Sequence, residues 1–274
     1  MQRDGTVTQR TTVRVAAVGD LHCGRNPQTP LQPLLASVSE RADALVLCGD
    51  LTDHGAPDEA RGLAKELGAL KVPIVAVLGN HDFEAGKQDE IRKILADAGV
   101  CVLDGESCEF HGIGFAGVKG FCGGFGARAL APWGEDTIKR FVHEAVDEAL
   151  KLESALARLR SVTRVAVLHY APIQATVEGE ACEIYPFLGS SRLEEPLVRY
   201  PVAAVFHGHA HQGRLEGRTR NDVPVFNVAQ PLLERTLPGQ PGFRVVEIER
   251  DAAPSASATR STGSQPDLEA APHG

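Results

Sequence analysis

Seven side chains that can ligate a metal ion are spread along this 274-residue chain: Asp20 and His22, Asp50, Asn80, His169, then His209 and His211. All except His211 stand where an apolar, strand-like run stops. Carboxylate, imidazole and amide oxygen together make a mixed hard and borderline donor set, which suits manganese, iron or zinc better than calcium or magnesium. That ordering predicts a two-metal hydrolase.

Taken singly, each motif has an ordinary explanation. Asp20-Leu21-His22 places a carboxylate and an imidazole two residues apart, close enough to grip one cation from the same side, but Asp20 alone also serves as a turn or helix cap. In Leu47-Cys48-Gly49-Asp50 the glycine lets the backbone turn so that the carboxylate points into the crevice beyond the strand end. Open α/β sheets bind their ligands there. Gly79-Asn80-His81-Asp82 ends a third run with an amide oxygen and an imidazole, groups that need partners when buried. An Asn-His turn without metal is the plain alternative. His209 and His211 face the same way along an extended backbone, whereas a lone strand-end histidine such as His169 is more often structural. Five strand ends carrying Asp, Asn or His, four with a glycine beside them, make coincidence a poor account of the whole set.

These residues need strands to carry them. Short β-branched runs at 13–19, 44–49, 74–79, 164–168, 203–206 and 225–228 predict strands, and patterns near 31–41, 57–68 and 87–98 predict helices. Such alternation argues for buried strands joined by crossover helices. Segment 100–117 breaks the rhythm with three strand-like pieces around Asp104-Gly105 and His111-Gly112, which read as hairpin turns where the sheet becomes antiparallel. The runs 213–218, 225–228 and 243–249 read as a second meander. The expected class is α/β, with two mixed sheets rather than one wound sheet. A loop holding Gly120, Gly123, Gly124 and Gly126 leads into a helical pattern over 135–160, with Ile138, Phe141, Val142, Ala145, Val146, Ala149 and Leu152 near a 3.6-residue period. Segment 119–160 is read as an insertion beside the core, either a helix packed by one apolar stripe or a flap hinged on its glycines.

Composition narrows the class further. One domain is expected over 13–250, preceded by a flexible segment, 1–12, and followed by a disordered tail, 251–274, too poor in apolar residues to order itself. A domain of this length buries roughly 75% of its unfolded surface, so any metal is chemical rather than structural. The net charge of −8 gives no basic footprint and argues against stable nucleic-acid binding. Bound cations would still invert the local field for a small anionic ester. Six cysteines without a CxxC pair predict reduced thiols in a cytoplasmic protein. Residues 1–12 carry Arg3, Asp4 and Arg10 with no apolar run behind them, unlike a signal peptide, and no stretch approaches the ~20 apolar residues of a membrane span.

Asp20-x-His22, Gly49-Asp50-x-x-Asp53, Gly79-Asn80-His81-Asp82, His169 and Gly208-His209-x-His211, in this order, resemble the full signature of the calcineurin-like metallophosphoesterases. The likeness spans residues 15–211, without the 119–160 segment or the tail. It implies a four-layer αββα sandwich of two mixed β-sheets flanked by helices, with a dinuclear centre at the strand ends. On this likeness Asp20, His22 and His211 hold the first ion, Asn80, His169 and His209 hold the second, and Asp50 bridges them. His81 becomes the acid beside the phosphoryl group or leaving oxygen, Asp53 orients its imidazole, and Asp82 fixes the turn. The implied reaction is in-line attack on phosphorus by a hydroxide shared between the ions, a bound water having its pKa lowered from 15.7 to about 7.

His54 follows Asp53 where the family's Ser/Thr protein phosphatases carry an arginine, which counts against a protein phosphatase. The compact spacing resembles the family's bacterial phosphodiesterases, so the expected substrate is a small or nucleotide-like phosphodiester. A small-molecule phosphomonoester is the alternative. A non-catalytic scaffold fits less well because no ligand is missing, and a nuclease is weakened by the acidic balance and the absence of a basic, aromatic-rich second domain. Arg25, Lys119, Arg128 and Tyr170 lie near a motif or in the glycine-rich loop and are the candidates for reading the substrate.

Overall fold

A computed structural model of the chain describes residues 10–24 and 31–251. Arg25, most of the segment 1–12 and all but the first residue of the tail therefore lie outside the described residues. The first strand, β1 (Arg10–Val18), is covered on both faces. Val13, Val15 and Ala17 point to one side while Ala16 and Val18 point to the other, and each is buried. After α1 (Gln32–Arg41), β2 (Ala44–Cys48), α2 (Pro57–Leu67), β3 (Ile74–Val77), α3 (Gln88–Asp97) and β4 (Val100–Val102) repeat the strand and helix alternation. β1 to β4 pair in parallel, so each helix is a crossover on the outer face. Leu35 and Val38 of α1, Leu63 and Leu67 of α2, and Ile91 and Leu95 of α3 pack there against Ala16, Val18, Leu45 and Leu47.

The start of α2 is fixed by its own sequence. Pro57 suits the first turn, and the Glu59 carboxylate accepts from the amides of Ala56 (3.2 Å) and His54 (3.0 Å). That ties down the loop following Asp53.

The chain then changes sheets. β5 (Glu106–Phe110) and β6 (Ile113–Val118) form an antiparallel hairpin through His111-Gly112, as expected. Asp104-Gly105 is not a hairpin turn: β4 belongs to the first sheet and β5 to the second, so this turn is the passage between them. α4 (Asp136–Arg158) follows and connects β6 to its parallel neighbour β7 (Thr163–Leu168). Its stripe of Leu152, Ala155 and Leu156 packs on Ala116, Val118, Ala166 and Leu168, making this helix an outer layer of the second sheet. The short α5 (Tyr185–Leu188) and α6 (Glu194–Arg199) lead to β8 (Ala204–His207), then β9 (Glu216–Arg218) and β10 (Pro224–Asn227). β9 and β10 pair antiparallel, and β10 runs parallel to β8.

The meander expected over 213–249 breaks at its last member. α7 (Gln230–Thr236) turns the chain away, and β11 (Arg244–Asp251) joins the other sheet, antiparallel to β1. Their pairing begins at Arg10↔Asp251, so the first sheet takes in residues 10–12 of the segment read as flexible and residue 251 of the tail read as disordered. The sheets are β11-β1-β2-β3-β4 and β5-β6-β7-β8-β10-β9, both mixed. Val46, Cys48, Val75 and Val77 meet Phe115, Val165, Val167 and Phe206 between them, which gives helix, sheet, sheet, helix. All six cysteines are free thiols. No helix among the described residues is long and apolar enough to cross a membrane.

The α4 stripe provides a direct test. Leu152→Ala is expected to lower stability by about 2–5 kcal/mol through the cavity it leaves, while exposed Leu150→Ala stays within about 0.5 kcal/mol; equal losses in chemical denaturation would contradict this packing.

Candidate metal centre

Five strand ends converge at one edge of the sandwich. Asp20, Asp50 and Asn80 follow β1, β2 and β3 of the first sheet, and His169 and His209 follow β7 and β8 of the second. Because these five strands are parallel within their sheets, all present their carboxyl ends to the same crevice. The loops are laced together by backbone bonds: Asp20 N to Gly49 O (2.9 Å), His22 N to Asp50 O (3.0 Å) and Gly208 N to His169 O (3.2 Å). His209 N donates to both oxygens of Asp20 at 3.0 Å, joining the two sheets through a side chain.

The backbone is strained where the donors sit. Asp20 (φ 58°), His22 (φ 43°), Asp50 (φ 47°) and His209 (φ 69°) all occupy the left-handed region. Side chains there cost roughly 1–3 kcal/mol each, and such strain gathers at functional sites. Two glycines make the crowding possible. Gly49 has φ +81°, as its place before Asp50 requires. A Cβ on Gly208 would collide with Asp20 Oδ2 and stand 2.9 Å from Cys48 O.

All seven expected donors lie in the crevice. Asp20, His22 and His211 bring ligand atoms within 4.8 Å of one another, and so do Asp50, His169 and His209. Asp50 lies between the groups: Oδ2 is 3.9 Å from His22 Nε2, and Oδ1 is 3.4 Å from His169 Nε2. His169 donates from Nδ1 to Cys48 O (2.9 Å), which turns Nε2 into the crevice and puts the lone pair there in the neutral form that ligation needs. That lone pair faces Asn80 Oδ1 at 2.9 Å and Asp50 Oδ1 at 3.4 Å. Three electron-pair donors thus point at one another, an arrangement that a cation between them relieves. His22 Nε2, at the other group, is buried with no hydrogen-bond partner. The residues present therefore fit metal ions by donor chemistry and by an orphaned buried nitrogen.

Electrostatics point the same way. Burial pushes the His209 imidazole down to about 3 and also lowers His22. Both stay neutral, as metal ligation needs. Burial alone would raise Asp20; the His211 hydrogen bond at 2.9 Å leads the opposing effects, the His209 amide adds to it, and together they lower the carboxylate's pKa. For His211 the same bond leads and raises the imidazole.

His81 stands beside this set, its ring 4.6 Å from that of His22. Burial lowers its pKa, but the bond to Asp53 and the charges of Asp50, Glu84 and Asp53 prevail and raise it. The orienting contact differs from expectation: His81 Nδ1 donates to the Asp53 backbone carbonyl at 2.8 Å. The Asp53 carboxylate instead faces His22 Nδ1 (3.7 Å) and His54 Nε2 (3.3 Å). Asp82 does fix its turn. Fully buried, it accepts from the amides of Leu51, Thr52 and Gly79 and from the Thr52 hydroxyl at 2.6–3.2 Å.

Several partners escaped the sequence. Glu84, 3.1 Å from His81 Nδ1, was legible only as an i+3 neighbour. Phe187 O accepts from His209 Nε2 (3.1 Å), and Asn227 Nδ2 holds the His209 loop through Ala210 O (2.8 Å); carbonyl contacts leave no trace in side-chain spacing. Of the substrate-reading candidates, Tyr170 packs its ring 4.4 Å from that of His209, and Lys119 lies next to Tyr170. Arg128 is exposed on the glycine-rich loop.

Comparison with known proteins gives the family and the fold. The calcineurin-like phosphoesterase family model matches residues 13–213, and the chain belongs to that family. It is 26% identical over 181 residues to the glycerophosphodiester phosphodiesterase GpdQ of Enterobacter lignolyticus (strain SCF1). That alignment takes in 65% of this chain but only 59% of the relative. Among solved structures, the phosphopantetheinyl hydrolase PptH of Mycobacterium tuberculosis superposes with a TM-score of 0.61 at 19% identity, covering 85% of this chain and 95% of that one. The protein TT1561 of Thermus thermophilus gives 0.51 at 14% identity, covering 80% and 90%. At these identities the structures establish the shared fold.

Two substitutions probe the scaffold of the site. Gly208→Ala is expected to displace Asp20 and cut Mn²⁺ uptake, measured by metal analysis after dialysis; full uptake would contradict the close approach. Asp82→Ala strands several buried donors and is expected to cost about 2–4 kcal/mol, visible as a lower melting temperature, whereas an unchanged one would show that the turn holds itself.

Proposed function

We propose that this protein is a dinuclear-metal phosphodiesterase acting on a small or nucleotide-like phosphodiester. The observation that carries the reading is the position of Asp50 between two donor groups, each with lone pairs turned inward. In this reading Asp20, His22 and His211 hold one ion, Asn80, His169 and His209 hold the other, and Asp50 serves both. When bound, such ions, with manganese, iron or zinc suited to these donors, acidify a water and offset the charge that builds on phosphoryl oxygens.

The chain's own residues supply the rest. His81 donates from Nδ1 to the Asp53 carbonyl, so the imidazolium keeps a proton on Nε2. Its raised pKa favours that protonated form, and transfer of the proton to the departing alkoxide is worth about 10²–10⁴-fold. Glu84 Oε1 stands 3.1 Å from that same Nδ1, and its charge favours the protonated ring. His54 does not act as a phosphate grip, because its exposed ring lies between the carboxylates of Asp53 (3.3 Å) and Glu84 (3.5 Å). The preference for a diester is supported by the relative named as a phosphodiesterase.

The test uses metal-stripped protein reloaded with Mn²⁺, with an aryl phosphodiester offered beside its monoester. Faster diester cleavage is expected; monoester preference would make the protein a small-molecule phosphatase, and inactivity on both would favour a scaffold. His81→Ala is expected to keep both ions and lose about 10²–10⁴-fold in turnover; retained turnover at full metal content would remove its role. Asp50→Asn is expected to weaken both ion sites together, and loss of one ion alone would contradict a shared ligand.

A further inference from the structure

Lys119 follows β6 directly, and the register Val118↔Leu168 between β6 and β7 sets it opposite His169 at the same carboxyl edge. Its ammonium is enclosed by rings, 4.9 Å from the centroid of Phe121 and 5.3 Å from those of Phe83 and Tyr170. Phe83 belongs to the loop that carries His81, and Tyr170 packs on both His169 and His209. The cation therefore stands between the two loops that frame the site.

Its hydrogen bonding is incomplete. The Gly120 carbonyl takes one N–H at 2.8 Å. The Glu148 carboxylate is already held by the Gly120 amide and by Lys151, each at 2.7 Å. A cavity of about 170 Å³ opens beside Lys119, at the ends of β3, β4 and β6 and one step outward from Asn80 and His169. Leu78, Val102 and Leu103 give it apolar walls, while Gln88, Asp89 and Asp104 add acceptors and Arg92 a second cation.

Size and charge restrict what fits. Pockets for drug-sized ligands run to ~300–1,000 Å³, so this one takes a group of a few heavy atoms rather than a nucleoside. The charges around it are mixed, Lys119 and Arg92 against Asp89 and an Asp104 already paired with Lys151 at 3.2 Å, so the lining favours no single sign. A hydroxyl group suits both signs, since it accepts from Lys119 and donates to a carboxylate.

We propose that this cavity receives the alcohol part of the substrate, that this alcohol is small and carries a free hydroxyl group, and that Lys119 is the specificity residue that reads it. The proposal rests on the phosphodiesterase reading. It narrows the substrate from small or nucleotide-like to a hydroxylated small alcohol.

The test compares two diesters that share a 4-nitrophenolate leaving group, methyl 4-nitrophenyl phosphate and 2,3-dihydroxypropyl 4-nitrophenyl phosphate, on the full chain with Mn²⁺. The wild type is expected to favour the hydroxylated ester by about 10-fold or more in kcat/KM, the order of one charge-assisted hydrogen bond. Lys119→Met, which keeps the stem among the rings, is expected to bring that ratio within about 2-fold. Gln88→Trp, which fills the cavity from another wall, is expected to do the same with the ammonium intact. An unchanged ratio in both variants, or no preference in the wild type, would overturn the proposal. Calorimetric binding of glycerol 3-phosphate against methyl phosphate reads the cavity without turnover. Tighter glycerol phosphate binding that is lost in Lys119→Met keeps the cavity even if neither diester is cleaved, which would remove the phosphodiesterase reading alone, and equal binding in the wild type would remove the cavity.

Discussion

Asp20, Asp50 and His169 are packed at the seam between two sheets with 0–2% of their surface exposed. Burying ionised carboxylates that way costs several kcal/mol each unless opposite charge is close. The protein supplies only part of that charge. His211 bonds Asp20, while Asp50 accepts from the His81 amide (2.9 Å) and faces His169 Nε2 and His22 Nε2 at only 3.4 and 3.9 Å. The fold therefore crowds together donors suited to metal ions, and much of the surrounding structure follows from holding them there.

Such a site needs a stiff support, and the layers provide it. Each donor stands within a few residues of the carboxyl end of a buried parallel strand whose position is set by apolar contacts on both faces. The loops are then tied to one another, within the first sheet by Asp82 and between the sheets by the His209 amide on Asp20 and the Cys48 carbonyl on His169. Four donors in left-handed backbone show the cost of this arrangement: the chain accepts strained dihedrals so that short loops can aim their side chains inward. Stability gained by packing offsets strain at the edge, as often happens where function sets geometry.

Much of this was legible beforehand. A carboxylate, amide or imidazole after each apolar run marks the strand ends, and the glycines beside them mark close approaches such as that of Gly208 to Asp20. Destinations were harder to read. The run 243–249 looks like a third strand of a local meander, yet pairing with β1 buries Ile248 and packs Val246 in the core between the sheets, a choice made by long-range packing. Asp104-Gly105 has hairpin chemistry but serves as a passage between sheets. Asp53 is where the motif expects it, but its carbonyl rather than its carboxylate meets His81. Backbone groups carry no residue signature, so that exchange has no trace in composition or spacing.

The most direct measurement is the anomalous scattering of manganese in crystals of the Mn²⁺-loaded protein. Two peaks are expected in the crevice, one among Asp20, His22 and His211, the other among Asn80, His169 and His209, with an Asp50 oxygen bound to each. A single fully occupied peak, or two peaks with Asp50 bound to neither, would contradict a shared dinuclear centre.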